Sequence, residues 1–499
     1  MTVAARRFLI LGLDGGTFDL LDPLMEAGEL PFLRSLVRRG VRAPLRSVYP
    51  AKTIPAWYSF ATGRDPGELG IFGFTEPGDT PGRSKMVESF RPTEAIWDRL
   101  SRLGRSVGVL NFPVLSGYPV HGFILPGMFS EGSTTYPRGL RDEVEAAGGG
   151  AYPGELPTYL ESHRTEWVRA ATEAIDRRAR VAVALAEKHR PDFLFALFRE
   201  TDRIEHQLWN EMALPITEIA PDLLRFWHTV DRACESVDAA FRSAGEAVTL
   251  VISDHGHGPI ESDFLTNQWL ADQKYLVFRA GEELARRRLL SRFILRVRHL
   301  PFAERLARRV AEALRNGHHD TMAQFLAGDA SFEQAVPRID WDRTLAFSYP
   351  VPEGIYLNPF NPQLTPGRRA EVLRDLRARL EQYPDAHIEV MGPEQIYRGR
   401  NLGHAPALLI RVDDMRTEPR MDFAYTNPLI RDRPSYFYGS GTHRMDGILI
   451  AAGAGVRPGA SVSHPNLLDL APTVLEGMGV DPPAELCGRS FARDLGLTA

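Results

Sequence analysis

The chain has 499 residues, 43% of them apolar and 25% charged, the balance of an ordinary soluble globular protein. A formal net charge of -5 gives no electrostatic basis for binding a nucleic acid polymer, and two cysteines, Cys234 and Cys487, are too few for a disulfide framework, which points to a small-molecule partner and a reducing, cytoplasmic setting. No apolar run approaches the ~20 residues of a membrane span and FLILGL is shorter than a signal-peptide core, so no transmembrane segment is expected, while peripheral membrane contact is left open.

In chain order, RFLILGL (7–13) reads as a strand that runs straight into Asp14 and the pair Gly15-Gly16. SVYPAKTIPAWYSFATG (47–63) opens a helix, with Thr53 where a capping hydroxyl is favoured and Pro55 in the first turn. The same Thr53 admits a second reading as a nucleophile, which an unassisted threonine serves only beside a base or a metal ion. Lys52 beside it is one of four lysines among 59 basic residues. A helix at 93–103 precedes a strand at 105–110, and a long helix at 164–188 precedes a strand at 192–198. Beyond that strand lie Asp202 and His206, which share one face if the turn is helical. A helix at 221–243 leads to the strand 247–253, ending in Asp254 and His255 before Gly256. The alternation then breaks: 282–327 is helical and arginine-rich, followed by strand-like TLAFSY and GIYLN, a helix at 366–381, and the strands HIEVM and ALLIRV. The parallel pattern resumes near 440, where His443 precedes a strand at 447–452 and a helix at 467–478 follows.

This alternation predicts an α/β fold, a three-layer α/β/α sandwich with a largely parallel central sheet. Residues 1–260 and 435–499 would form the core, and 261–434 an inserted α+β cap, because the ends of an insertion must lie close together. In open α/β sheets ligands bind beyond the carboxyl ends of strands. There the chain sets Asp14, Asp202, His206, Asp254, His255 and His443. Each alone is as well explained as a turn residue, a cap or a surface pair. Together, three carboxylates and three imidazoles form a hard-to-borderline set suited to two divalent cations, zinc foremost, with manganese or iron as alternatives.

The sequence resembles the alkaline phosphatase superfamily and, within it, the type I phosphodiesterase and nucleotide pyrophosphatase branch. The matching motifs are LGLDGG around Asp14, YPAKTIPAWYSFATG around Thr53 with PGELGIFGF after it, ETDRIEH, SDHGHG, GTHRMDG around His443, and the closing DLAPTVLEGMGVDPPAELCGRSF. They cover residues 1 to about 260 and 435–499; the 261–434 stretch is less diagnostic. The resemblance implies that Asp202, His206 and His443 hold one metal, and that Asp14, Asp254, His255 and the Thr53 oxygen hold the other. It further implies attack by Thr53 on a phosphate ester, preferably a diester, to give a phosphothreonine that water then resolves. A phosphomonoesterase or phosphoryl-transferring mutase of the same superfamily is the alternative. A noncatalytic metal-binding scaffold is the remote one, since every expected ligand position is filled.

One departure stands out. Where the nucleotide pyrophosphatases carry a phosphoryl-binding asparagine, this chain has Phe74, which leaves Lys52, Thr75 or Asn111 as substitute donors, or else a substrate unlike a nucleotide diester. The threonine and its TIPAW context argue against a sulfatase. His257 is within reach of substrate, although a supporting or solvent-facing role is the simpler reading. Surface placement is expected for His404, His464 and His318-His319, packing for Trp57 and Trp209, and a solvated face for Arg286 to Arg309.

Overall fold

The computed structural model describes residues 6–80, 82–87, 94–128, 134–279, 329–330, 332–424, 427–431 and 439–498. The arginine-rich stretch 286–309 and His318-His319 lie outside the described residues, as does the helix expected over 282–327.

Among the described residues seven strands build the central sheet: β1 (Arg7–Leu13), β2 (Val41–Arg46), β3 (Val107–Phe112), β4 (Gly122–Pro126), β5 (Phe193–Phe198), β6 (Ala247–Ile252) and β7 (Asp446–Gly453). Their order is β2-β7-β6-β1-β5-β3-β4. Neighbours from β6 to β4 pair in parallel, whereas β7 runs antiparallel to both β6 and β2. The C-terminal strand is therefore not a continuation of the parallel pattern, and β2 and β4 were not legible as strands.

β1 is buried along its whole length, as a strand covered on both faces must be. Its period of two sends Leu9, Leu11 and Leu13 into one core, packed by the helices Phe18–Ala27, Arg164–His189 and Pro221–Arg242. Phe8 and Ile10 enter the other, under the helices Thr53–Thr62, Ile96–Arg102 and Leu470–Gly477. This is the expected three-layer arrangement. The strand 7–13 has the expected bounds and other boundaries differ by at most three residues, while the expected helix 467–478 is a 3-10 turn, Leu467–Asp469, followed by Leu470–Gly477.

Gly12 sits in β1 because nothing larger fits. A Cβ there would lie 2.8 Å from Leu197 Cδ1 and 2.9 Å from Trp57 Cη2. Gly12→Ala should therefore destabilise the fold by about 1–3 kcal/mol, read as a fall in the denaturation midpoint. An unchanged midpoint would show that Trp57 can withdraw from β1.

A second sheet comes wholly from residues 262–430, in the order 346–347, 354–357, 408–412, 417–420, 262–265 and 429–430, with 388–391 added on 408–412. It has its own apolar core, which includes Phe264, Ile355, Leu376 and Leu409. Helix Pro366–Glu381 has the expected bounds. The two sheets meet beside the start of helix Thr53–Thr62, where Lys52 Nζ lies 2.8 Å from a Glu353 carboxylate oxygen and Tyr49 donates its hydroxyl to the Ile410 carbonyl at 2.5 Å.

Candidate active site

Adjacent strands β6, β1 and β5 deliver polar residues at one end of the sheet. Asp14 follows β1, Asp254 and His255 follow β6, and helix Glu200–Met212 begins just after β5, carrying Asp202 and His206. Short hydrogen bonds lock the segments together: Thr201 Oγ1 donates to the Asp14 carbonyl at 2.6 Å, Ser253 Oγ to that of Gly16 at 2.8 Å, and Ser47 Oγ to that of Asp254 at 2.6 Å. His443 arrives from a two-stranded antiparallel ribbon, Gly441–Arg444 against Gly256–Pro259, in which it pairs with His257.

The carboxylate Oδ1 of Asp202 is the centre of one group. It lies 3.3 Å from His206 Nε2, 3.4 Å from His443 Nε2 and 3.7 Å from His257 Nε2. His206 Nδ1 faces the Gly441 carbonyl at 3.1 Å and His443 Nδ1 faces that of Ala51 at 2.5 Å. A carbonyl can only accept, so each Nδ1 holds the proton and each Nε2 presents a lone pair. Those two Nε2 atoms stand 2.8 Å apart. Two lone pairs so close, with a carboxylate oxygen beside them, form a set that a cation would complete.

A second group repeats the pattern. His255 Nδ1 faces the Gly256 carbonyl at 3.2 Å, turning Nε2 toward Asp254 Oδ2 at 3.3 Å and Asp14 Oδ1 at 3.9 Å. Asp14 Oδ1, Asp202 Oδ1, Asp254 Oδ2 and His255 Nε2 are all buried without a hydrogen-bond partner among the described residues. Metal-competent atoms of Asp202, His206, His257 and His443 lie within 4.8 Å of one another, and so do those of Asp14, Asp202 and His255. Unpaired buried carboxylates are costly, and divalent cations would satisfy this donor set.

Electrostatics point the same way. Burial, reinforced by Asp254 and Asp202, pushes the Asp14 carboxyl well above its usual range, and burial with Asp202 does the same to Asp254. Burial and neighbouring imidazoles hold His255, His257 and His443 well below the usual histidine value, so these rings are neutral at neutral pH. Among these metal-competent carboxylates it is Asp202 that is lowered against the effect of burial, by His206, His257 and His255.

Thr53 is 4% exposed and is the first helical residue rather than the cap; Lys52 occupies the N-cap, and no side chain caps the helix. The capping account of Thr53 is thus replaced: its hydroxyl is not engaged by the helix it begins. Trp57, one turn on, does more than pack. Its Nε1 donates to Asp14 Oδ2 at 3.0 Å, fixing which carboxylate oxygen faces His255.

A cavity of about 340 Å3 contains Asp14, Lys52, Thr53, Phe74, Asp202, His206 and His443 in its wall. Phe74 offers it no hydrogen bond. Neither proposed substitute from outside this wall reaches the cavity. Thr75 begins a small hairpin against Met86. The Asn111 amide is consumed elsewhere, donating to the Leu197 carbonyl at 2.9 Å and accepting from Arg178 Nη1 at 3.1 Å and from the Tyr152 hydroxyl at 2.5 Å.

His257 is fully buried, which overturns the solvent-facing reading, and it does not line the cavity. Its Nδ1 lies 3.1 Å from Glu205 Oε2, a fully buried carboxylate that burial, Asp202 and Asp14 push well above the usual range. The missing side chain of Gly15 makes room for this ring, since a Cβ there would stand 2.6 Å from His257 Nδ1, and its φ of +71° separately favours glycine. Trp209 stacks over the same imidazole at 6.4 Å, as packing. Glu205 escaped the sequence reading, though its spacing of three from Asp202 would set it on the same helical side. His404 and His464 are exposed, as expected.

The sequence profile of the type I phosphodiesterase / nucleotide pyrophosphatase family matches residues 8–426. Comparison with curated protein sequences finds no match. Among solved structures, phosphonoacetate hydrolase from Sinorhizobium meliloti 1021 in complex with phosphonoformate superposes with a TM-score of 0.54 at 14% identity, over 95% of this chain and 96% of that one. Murine ectonucleotide pyrophosphatase / phosphodiesterase 5 gives a TM-score of 0.54 at 14% identity, over 98% of this chain and 100% of that one. An inactive threonine-to-alanine variant of the murine protein, in complex with AMP, gives 0.53 at 14% identity, over 98% and 99%. At such identities these likenesses show the fold.

Proposed function

The chain belongs to the type I phosphodiesterase / nucleotide pyrophosphatase family of the alkaline phosphatase superfamily and is a metal-dependent phosphoric ester hydrolase; from that premise we propose that it cleaves small phosphate diesters through a covalent phosphothreonine on Thr53. The observation that carries this reading is the Thr53 hydroxyl, free of any capping duty, in the wall of a cavity it shares with Asp14, Asp202, His206 and His443, members of two groups of metal-competent donors. That an inactive threonine-to-alanine variant of the murine neighbour holds AMP accords with a threonine nucleophile in this fold.

Asp202, His206 and His443, supported by His257, would hold one divalent ion, zinc by preference; Asp14, Asp254, His255 and Thr53 would hold the other. Bound there, the ions supply Lewis-acid polarisation of the phosphoryl oxygen and lower the pKa of coordinated hydroxyl groups. Thr53 begins the helix Thr53–Thr62, whose N-terminus no side chain caps, so the partial positive charge of that helix end lies beside the attacking residue. In the first step Thr53 Oγ1 forms a bond to phosphorus, the bond to one alcohol breaks, and that alcohol leaves with the electron pair and takes up a proton. Water then displaces Thr53, giving a phosphomonoester and restoring the hydroxyl. Trp57 keeps Asp14 from rotating, and Pro350, Val351 and Pro352 from the second sheet's region close the cavity on its apolar side.

We further assign residues 261–434 to a substrate-selecting cap. No helix among the described residues is long and apolar enough to cross a membrane. Free thiols at Cys234 and Cys487 accord with a reducing, cytoplasmic setting.

The test is the ratio of kcat/KM for matched 4-nitrophenyl diesters and monoesters on zinc-loaded protein. A diester preference of tenfold or more supports the proposal. A monoester preference would replace it with the phosphatase or mutase alternative, for which Phe74 in place of a phosphoryl-binding amide would then be the structural correlate.

A further inference from the structure

The cavity wall carries three cationic side chains, Lys52, Arg199 and Arg203, beside the carboxylates of Asp14, Asp202 and Glu155. Arg199 and Arg203 flank Asp202 around the start of helix Glu200–Met212, and both line the cavity. The guanidinium of Arg199 is buried, with 4% of its side chain exposed, and both its terminal nitrogens bond the two carboxylate oxygens of Glu155. Glu155, by contrast, is 45% exposed and lies on a stretch of irregular backbone. The Nε of Arg203 is buried without a hydrogen-bond partner among the described residues.

The third cation of the wall, Lys52, is matched by Glu353, and Arg199 is matched by Glu155. Arg203 forms no ion pair among the described residues, and its charge acts on its neighbours Asp202 and Glu155. A buried guanidinium must keep an anionic partner. A half-exposed glutamate on irregular backbone is a partner that can be exchanged, because leaving costs it little in solvation. The fork in which Arg199 grips Glu155 is also the geometry in which arginine binds a free carboxylate or phosphate.

We infer that the cavity contains a second anion subsite, built by Arg199 and Arg203 and filled at rest by Glu155, which selects phosphate esters bearing a further carboxylate or phosphate group. The inference rests on reading the site as that of a phosphoesterase and names its substrate class. The reacting phosphoryl group would lie at Thr53, and the second anion would displace or share with Glu155 at the arginine pair. In a cavity of about 340 Å3 the two anionic groups must be separated by a short linker, which favours small polyanionic esters over dinucleotides.

Equilibrium binding of three inert phosphonates to the zinc-loaded full chain tests this: propylphosphonate, 3-phosphonopropionate and propane-1,3-bisphosphonate. The expected result is that one or both probes bearing a second anionic group bind on the order of ten- to hundredfold tighter than propylphosphonate, and the tighter of the two identifies the second group as carboxylate or phosphate. Arg203→Ala should abolish that preference. Glu155→Gln, a half-exposed position that keeps its shape, should widen it by freeing the fork. Equal affinity for all three probes, or a preference that neither substitution moves, would overturn the subsite and leave the phosphoesterase reading intact. Failure of all three to bind would overturn both.

Discussion

Thr53→Ala is expected to lower kcat/KM for a phosphate diester by about four to six orders of magnitude, the scale on which removal of a covalent nucleophile acts. The structure separates this from any loss of stability. Thr53 is the first residue of its helix, with Lys52 at the cap, so alanine removes no capping hydrogen bond and suits a helical position. The denaturation midpoint should therefore stay close to that of the parent. Were the hydroxyl merely structural, the pattern would be reversed: a penalty of about 1 kcal/mol in stability and an unaltered rate. Thr53→Ser, which keeps the oxygen, should retain most of the activity that alanine loses. Acid quenching during turnover of a substrate labelled in its phosphoryl group should leave label on the parent chain and none on the alanine variant. An unlabelled parent chain turning over at full rate would replace the covalent route with direct attack by water.

Asp202→Asn should weaken metal binding more than about a hundredfold and carry activity down with it, because the Asp202 carboxylate belongs to both donor groups. The pH dependence follows from the neighbouring carboxyls. Burial and mutual repulsion raise Asp14 and Asp254, so the metal-free chain holds protons there that an ion must expel. Affinity should accordingly fall as pH is lowered through the raised range of these two carboxyls. The imidazoles add little to that fall, being already neutral well below the usual histidine value. In the metal-free chain the sign for stability is opposite to that of an ordinary salt-bridged carboxylate. A group raised on folding stabilises the fold below its unfolded value near ~4, and that contribution is lost as pH rises through the folded one. The gain from metal should therefore grow with pH, reaching about 4 kcal/mol for each ion present at a thousand times its dissociation constant. Zinc titrations of both proteins between pH 5 and 8, with proton release measured in two buffers, check each part. Full stoichiometry in Asp202→Asn would exclude the shared-ligand geometry.

Much of the core was legible because burial on both faces leaves a plain mark: β1, β5 and β6 are near-continuous apolar runs. β2 left none. VRAPLR buries only alternate residues and carries a proline, which its edge position tolerates. The direction of β7 was not legible either, since periodicity carries no information about which way a strand runs. At the site, the strand-end aspartates and histidines could be found one by one, because each follows an apolar run. Partners supplied by other elements could not. Glu353 reaches Lys52 from the second sheet's region, and Glu155 reaches Arg199 from irregular chain. Asn111 looked available from its place at the end of β3, yet a backbone with φ of 66° turns its amide into a buried network. Arg199 and Arg203 were hidden by abundance, two among 55 arginines in a chain with only four lysines.

The position of β7 sets the timetable on which this protein can come into being. Among the described residues β7 is the one strand of the sheet that pairs with β2, and it also covers the edge of β6, yet some 400 residues separate β2 from β7 along the chain. At about 5–20 residues per second, a ribosome needs roughly 20–80 s to supply that partner. Until then one margin of the sheet is open to other strands, and His443, just upstream of β7, has not joined the other donors. Nascent chains would consequently remain both metal-incompetent and sticky until β7 had been made. Acquisition of the ions would then report completion of the sheet, and chaperones that shield open strand edges would matter most during that interval.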